Sequence, residues 1–176
     1  MSGASGQGLT VLTPVAEGRL DDLRARLGAL PAGTRSPLAA VPGTHFARWA
    51  VVAFDGKDGR PDPELAPHLL FSSEFDGDLD AYLTALCAGL GAEGHAIWSH
   101  CEGYPGDADG ALRDYLLRHR VSPGYSVVAY PGVSVEDVQA GLALRDMVTQ
   151  FAIGAGALDP PALKRAWLER FQPQGR

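Results

Sequence analysis

The chain has little of what marks an enzyme or a membrane protein in sequence alone. Its two cysteines, Cys87 and Cys101, are too few for a disulfide framework or a cysteine-based zinc site, so we expect reduced thiols. No apolar run approaches the ~18 residues that span a bilayer. The opening MSGASGQG lacks the basic and apolar segments of a signal peptide. We therefore expect a flexible tail over residues 1–8 and a cytoplasmic location.

Basic residues are also scarce. Lysine and arginine number 15 against 21 aspartates and glutamates, a net charge of −6, and no basic stripe is visible. Because phosphate contacts need clustered cations, this balance argues against nucleic acid as a partner. Glycine-rich phosphate loops and the G-x-S-x-G nucleophile elbow are absent as well, so no motif names a reaction.

Histidines are present, but without the spacing of a metal motif. None of them forms an H-x-H, H-x-x-x-H or HExxH pair, and we expect no metal site. A single axial histidine would suffice for a haem, so the cofactor stays open between none and haem. The five histidines are His45, His68, His95, His100 and His119.

Hydrophobic residues make up 45% and charged residues 20% of 176, as in a globular protein, and predict one domain over residues 9–176. Leucines at 20, 23, 27 and 30 predict a helix over residues 18–30. Asp78 predicts the start of a second helix, which glycines 89, 91 and 94 should end. A further helix is predicted over residues 111–120, and a helical extension over 134–172, with Asp159 capping the last helix.

Strands are predicted where β-branched and aromatic residues gather between turn formers. The element order is β-α-β-β-α-β, followed by α-β-α-α, and its first six elements are those of a split βαβ unit. The sequence therefore predicts an α+β, ferredoxin-like sandwich, an antiparallel sheet with helices on one face. The predicted strands cover residues 9–15, 44–55, 68–75, 95–102 and 124–132.

Alternation along the second and third strands separates a polar from an apolar face. Leu69, Phe71, Ser73 and Phe75 are predicted to pack on helices. The opposite set mixes polar and apolar residues, as a ligand cavity or a wet subunit interface would. An Arg48–Glu74 ion pair in such a cavity is one interpretation, and a cross-strand pair at the sheet rim is the other. On the third strand that set is His68, Leu70, Ser72 and Glu74, and the pair requires that the second-strand set of Phe46, Arg48, Ala50, Val52 and Phe54 shares its face.

The segment SHCEGYPG gathers a histidine, a cysteine, a carboxylate and a phenol. In a strand, His100 and Glu102 would share a face and form an acid/base pair, while Cys101 would point the other way as a packing residue. Turn geometry alone explains the EGYPG part equally well. Tyr104 follows this predicted strand, where a phenol can reach a pocket mouth.

The string HFARW…LLFSS-FDGDLDAYL…HCEGYP, with this element order, resembles the dimeric α+β barrel superfamily over residues 9–131. That superfamily includes small monooxygenases, polyketide cyclases and haem proteins of the chlorite-dismutase and dye-decolourising peroxidase type. The resemblance implies a homodimer that pairs through the open sheet face around a ligand. The sequence departs from it in the insertion YPGDADGALRDYLLRHR and in the C-terminal helices.

These observations favour an enzyme acting on a hydrophobic or aromatic metabolite, by oxidative or cyclase-type chemistry. Arg48 would anchor or polarise an oxygen or carboxylate, and His100 with Glu102 would serve as acid and base. A non-catalytic ligand- or haem-binding module and a haem peroxidase relative remain as alternatives. The residues expected to contact substrate are His45, Trp49, Ser72, Glu74 and Tyr104.

Overall fold

A computed structural model describes residues 7–53, 65–106, 108 and 110–171. Most of the loop predicted between the second and third strands lies outside the described residues. The chain divides into two compact units, Met1–Val135 and Glu136–Arg176. The predicted single domain is thus two units, and the second nearly coincides with the predicted helical extension.

A four-stranded antiparallel sheet forms the first unit's framework, which confirms the α+β class. Its strands are β1 (Gln7–Pro14), β2 (Thr44–Val52), β3 (His68–Phe75) and β4 (Arg120–Val121). They lie in the order β2-β3-β1-β4, and every neighbouring pair is antiparallel. β1 begins two residues before the predicted strand, and β3 has the predicted bounds.

Three helices of the first unit supply apolar side chains to one face of this sheet. They are α1 (Leu20–Gly28), α2 (Leu79–Trp98) and α3 (Ala111–Arg118). Phe71 of β3 and Trp98 of α2 are fully buried, with ring centroids 5.7 Å apart. The predicted helix-facing side of β3 is confirmed, because all four of its side chains are buried.

The start of α2 is fixed by the predicted cap. The Asp78 carboxylate accepts hydrogen bonds from the backbone N–H groups of Asp80 at 2.9 Å and Ala81 at 3.2 Å. These bonds satisfy N–H groups that have no partner within the helix.

We expect Asp78→Ala to lower the free energy of unfolding by about 1 kcal/mol, because it leaves those donors to water. Urea denaturation followed by circular dichroism measures the change. Asp78→Asn keeps an acceptor oxygen and should cost only a few tenths of that amount. Equal losses in both variants would contradict the capping role.

The end of α2 differs from the prediction. Gly91 has φ +46° and kinks the helix, which nevertheless continues to Trp98. Gly94 is buried, and a Cβ there would lie 3.0 Å from the Leu112 side chain, so this glycine allows α3 to approach. The strand predicted over 95–102 is wrong, since its first half is helical and only Cys101 bridges to Val15.

The strand predicted over 124–132 is also wrong. β4 ends at Val121, and residues 122–133 are exposed and outside any strand. Pro123 has no N–H to donate, which explains why the ladder with β1 stops. The segment has the composition of a strand, but no strand in the described part of the chain pairs with it.

The second unit is helical. α4 (Val135–Gly154), whose first residue belongs to the first unit, and α5 (Pro160–Phe171) meet through the rings of Phe151, Trp167 and Phe171. The predicted cap is confirmed, because Asp159 accepts a hydrogen bond from the Ala162 N–H at 2.8 Å. Among the described residues, no helix has the length and apolarity needed to cross a bilayer.

Candidate functional site

The sheet face opposite the helices of the first unit, here called the open face, carries the candidate site. Strand register places its side chains in rows, one of which runs Arg48–Ser72–Thr10–Val121. None of the described open-face side chains belongs to the hydrophobic core, although the alternate residues of β2 do. The neighbouring rows are Phe46–Glu74–Gly8 and Ala50–Leu70–Leu12.

Arg48 is the central polar group of this face. Its Nε donates a hydrogen bond to the Ser72 hydroxyl at 3.2 Å, and its guanidinium carbon lies 5.8 Å from the centroid of the Phe46 ring. The two contacts hold the guanidinium over the sheet while the side chain stays exposed. Its remaining N–H donors are available to a ligand oxygen.

Glu74 lies in the next row but forms no ion pair with Arg48 among the described residues. Its carboxylate lies beside Gly8, where an added Cβ would be 3.2 Å from Oε2. A larger residue at position 8 would displace the carboxylate. The structure therefore shows neither the cavity pair nor the rim pair, and Arg48 and Glu74 are two separate polar groups on one face.

His45 and Trp49 lie elsewhere. A register shift between Thr44 and Phe46 makes His45 an extra residue in β2, and its Nε2 bonds to the Asp76 carboxylate at 2.7 Å. Trp49 packs into the core side of the sheet, with its ring centroid 5.4 Å from that of Phe71. Trp49 therefore does not share the open face with Arg48, and His45 is held at the start of β2 by Asp76.

His100 and Glu102 lie in the turn after α2, so the alternation argument that paired them does not hold. The His100 Nδ1 bonds the carbonyl oxygens of Ala96 at 2.9 Å and Ile97 at 3.2 Å, at the C-terminal end of α2. The Glu102 N–H donates to the Pro14 carbonyl at 2.9 Å. Both contacts join the turn to its neighbours, and neither brings these residues to Arg48.

Tyr104 belongs to a buried aromatic group behind this turn. Its hydroxyl bonds His95 Nδ1, and its ring meets Tyr115 edge-on at 5.4 Å. The Tyr115 hydroxyl donates to the Glu102 carbonyl at 2.7 Å. Burial raises the pKa of Tyr115 well above its usual range, so its hydroxyl stays protonated at neutral pH.

The thiols are similarly inert. Cys101 is buried and accepts a hydrogen bond from the Thr13 hydroxyl at 3.2 Å, and burial raises the pKa of its thiol. Burial also raises the pKa of Cys87 to about 11, opposed by the charge of Arg113. A nucleophilic cysteine needs a lowered pKa, so the interpretation of Cys101 as a packing residue agrees with its surroundings, and Cys87 lies in similar ones.

No metal-ligand cluster is present in the part of the chain that the structure describes. No group of three His, Cys, Asp or Glu side chains converges there on one point. Three cavities are lined by helices of the second unit and contain no histidine. The choice between no cofactor and haem stays a prediction.

The largest of these cavities has a volume of about 800 Å³. It lies between α4 and α5, is lined mainly by apolar residues such as Phe151, Leu158, Leu163 and Trp167, and contains one charged side chain, Lys164. It holds no acid/base pair.

Sequence reasoning placed Arg48, Ser72 and Glu74 on one face, and the structure brings them together there. It placed Phe46 on this face without a role, and it missed Thr10 and Gly8. Phe46 was visible by alternation within β2, whereas Thr10 and Gly8 required the register between β1 and β3, which one sequence does not reveal.

The first unit is thus an α+β domain whose sheet has one helix-covered face and one open, mixed face. No protein-family model, curated protein or solved structure matches the chain.

Proposed function

We propose that the first unit is a homodimeric ferredoxin-like enzyme that binds a hydrophobic or aromatic metabolite with an anionic group on its open face. The strand order supports the ferredoxin-like assignment. β1 and β2 are both antiparallel to β3, which lies between them, so they run parallel to each other as a split βαβ unit requires. Free thiols at Cys87 and Cys101 support the cytoplasmic location.

The class of ligand is inferred from one observation, the position of Arg48 beside apolar residues. Arg48 is held by Ser72 and Phe46 in the middle of a face whose next row is Ala50, Leu70 and Leu12. A fixed cation beside apolar surface suits a flat apolar molecule with a carboxylate or a similar oxygen. Pairing of two open faces would exclude water and strengthen this contact.

The chemistry we propose is oxidative or cyclase-type. Arg48 polarises a ligand oxygen and stabilises the negative charge that develops on it. Glu74, one row away at roughly 7 Å along the strand, accepts a proton. This assignment gives the basic role to Glu74, because His100 and Glu102 lie at the turn that follows α2.

Binding of 2-naphthoate compared with 2-naphthol tests the proposal by calorimetry. The wild-type protein should prefer the carboxylate, and Arg48→Ala should weaken naphthoate binding by about 10- to 100-fold, the worth of a charge-assisted hydrogen bond. The naphthol affinity should stay within a few-fold. Arg145→Ala, at an exposed arginine of α4, is the matched control. Unchanged naphthoate binding in Arg48→Ala would reject the site.

The alternative is a non-catalytic ligand-binding module. The apolar cavity between α4 and α5 favours it, since this cavity has volume for a ligand but no acid/base pair. Native mass spectrometry of the purified protein distinguishes the two. A co-purified ligand that Trp167→Ala releases and Arg48→Ala retains would favour the module.

A further inference from the structure

A strand-forming segment of the first unit has no strand partner among the residues that the structure describes. Residues 125–130, here called the arm, have the sequence YSVVAY, and every one of them is exposed. Tyr125 is 86% exposed, and Val127 and Tyr130 are each 77% exposed. Valine and tyrosine are among the residues most enriched in strands, and an isolated apolar strand in water is unfavourable.

The ends of the arm are fixed by turn residues. Pro123 and Gly124 precede it, and Pro131 and Gly132 follow it. The Val133 N–H donates to the Tyr130 carbonyl at 3.3 Å, and Gly132 has φ +84°, so the chain turns directly after the arm. The arm is therefore a defined six-residue unit.

The arm cannot pair along the described residues of β1 in its own chain. β4 meets β1 at Thr10↔Val121, so continuing that ladder would place residues 122–124 opposite Leu9, Gly8 and Gln7. Gln7 is the first described residue of β1. The ladder therefore uses all described residues of this strand before the arm begins.

The other sheet edge has no strand partner among the described residues. β2 is the terminal strand, nine residues long, and no described strand lies on its outer side. Its register shift lies at the first residues, between Thr44 and Phe46, so the strand is regular from Phe46 to Val52. This part contains neither proline nor lysine, the residues that commonly protect an exposed edge. Half of its backbone N–H and C=O groups point away from β3 and can bind a further strand.

Chain length decides which copy supplies that strand. The outer side of β2 lies four strand spacings from β4, about 19 Å. The four Cα–Cα steps from Val121 to Tyr125 span at most about 14 Å when fully extended. The arm's first residue cannot reach this edge in its own chain, whereas a second copy has no such restriction.

We propose that the arm of one copy pairs with the outer edge of β2 in a second copy, and that the exchange is reciprocal. Two-fold symmetry then gives two equivalent arm–edge contacts, in each of which a six-residue strand is added by main-chain hydrogen bonds. The contact uses strand edges, whereas the ligand site uses side chains on the open face. Naphthoate binding by Arg48 and the arm exchange can therefore fail independently, while a monomeric wild type would contradict both the exchange and the proposed homodimer.

Proline substitution tests the contact. The double variant Val127→Pro/Val128→Pro removes two adjacent backbone N–H groups. Because successive N–H groups of a strand point to opposite sides, one of the two would face the partner strand in any register. Sedimentation of the full chain should give twice the 18.5 kDa chain mass for the wild type. The dimer dissociation constant of the proline variant should be at least tenfold higher than that of the wild type. That of Val127→Thr/Val128→Thr should stay within a few-fold of the wild type. Unchanged dimerisation of the proline variant, or a monomeric wild type at 100 µM, would overturn the exchange.

Cross-linking identifies the partner. A tagged Val127→Cys chain mixed with an untagged Ala50→Cys chain should form a covalent pair with a short bis-maleimide. A chain with Ala92→Cys, at an exposed position on α2, is the control and should not cross-link to the Val127→Cys chain. A monomer carrying both Ala50→Cys and Val127→Cys that closes on itself as efficiently would show pairing within one chain and overturn the proposal. Thermal unfolding of each variant verifies its fold.

Discussion

Trp98→Ala should lower the free energy of unfolding by about 3–5 kcal/mol, the usual loss when a large buried aromatic is truncated. The side chain is fully buried and lies at the centre of the aromatic packing between α2 and the sheet. Its ring centroid is 6.0 Å from that of Trp49 and 5.7 Å from that of Phe71. Because a domain's whole stability is of order 5–15 kcal/mol, much of the protein should be unfolded at modest urea concentrations.

The matched control is Trp98→Phe. The indole Nε1 is buried without a hydrogen-bond partner among the described residues, so phenylalanine removes an unsatisfied donor as well as some packing. We therefore expect Trp98→Phe to cost less than half as much as Trp98→Ala. Equal losses, measured by urea denaturation with circular dichroism, would show that ring packing is not the main contribution of this residue.

The second large effect is a loss of stability in alkali. Burial raises the pKa of Cys87 from 9.0 to about 11, and burial raises the pKa values of Cys101 and Tyr115 as well. A group whose pKa is higher in the folded state than in the unfolded state holds its proton more tightly when folded. Its stabilisation is complete below the unfolded pKa and is lost as the pH rises, here from about pH 9 to pH 11 for Cys87.

For Cys87 alone the difference sets an upper bound of roughly 3 kcal/mol, which solvent screening of this half-buried thiol reduces to about 1 kcal/mol, a fall in melting temperature of about 2–4 °C. Scanning calorimetry between pH 8 and pH 11 with a reducing agent measures it. Cys87→Ala should show a smaller fall over the same interval than the wild type. Identical pH dependences would mean that this thiol ionises equally in both states.

Local patterns in the sequence predicted the elements whose partners are close by. The leucine spacing predicts α1, and Asp78 and Asp159 predict helix starts that the structure confirms. The length of α2 was not predictable this way. Gly91 and Gly94 resemble a helix stop, but the first only kinks the helix and the second makes room for Leu112.

The candidate site was predicted less completely, for a related reason. Alternation assigned Arg48, Ser72 and Glu74 to one face, because strand geometry is local. His100 and Glu102 were placed by the same rule on a segment whose first half is helical, where the rule does not apply. Propensity likewise indicates that the arm forms a strand, but strand formation depends on a distant partner.

The extra residue in β2 also determines which changes in chain length the sheet can accept. Thr44 pairs with Phe75 and Phe46 with Glu74, so His45 has no opposite residue. Deleting His45 would produce a regular ladder and leave every later pair intact. Deleting a single residue farther along, such as Trp49, would turn the rest of the strand over and exchange its core and solvent faces. Natural insertions and deletions in this strand should therefore cluster at position 45.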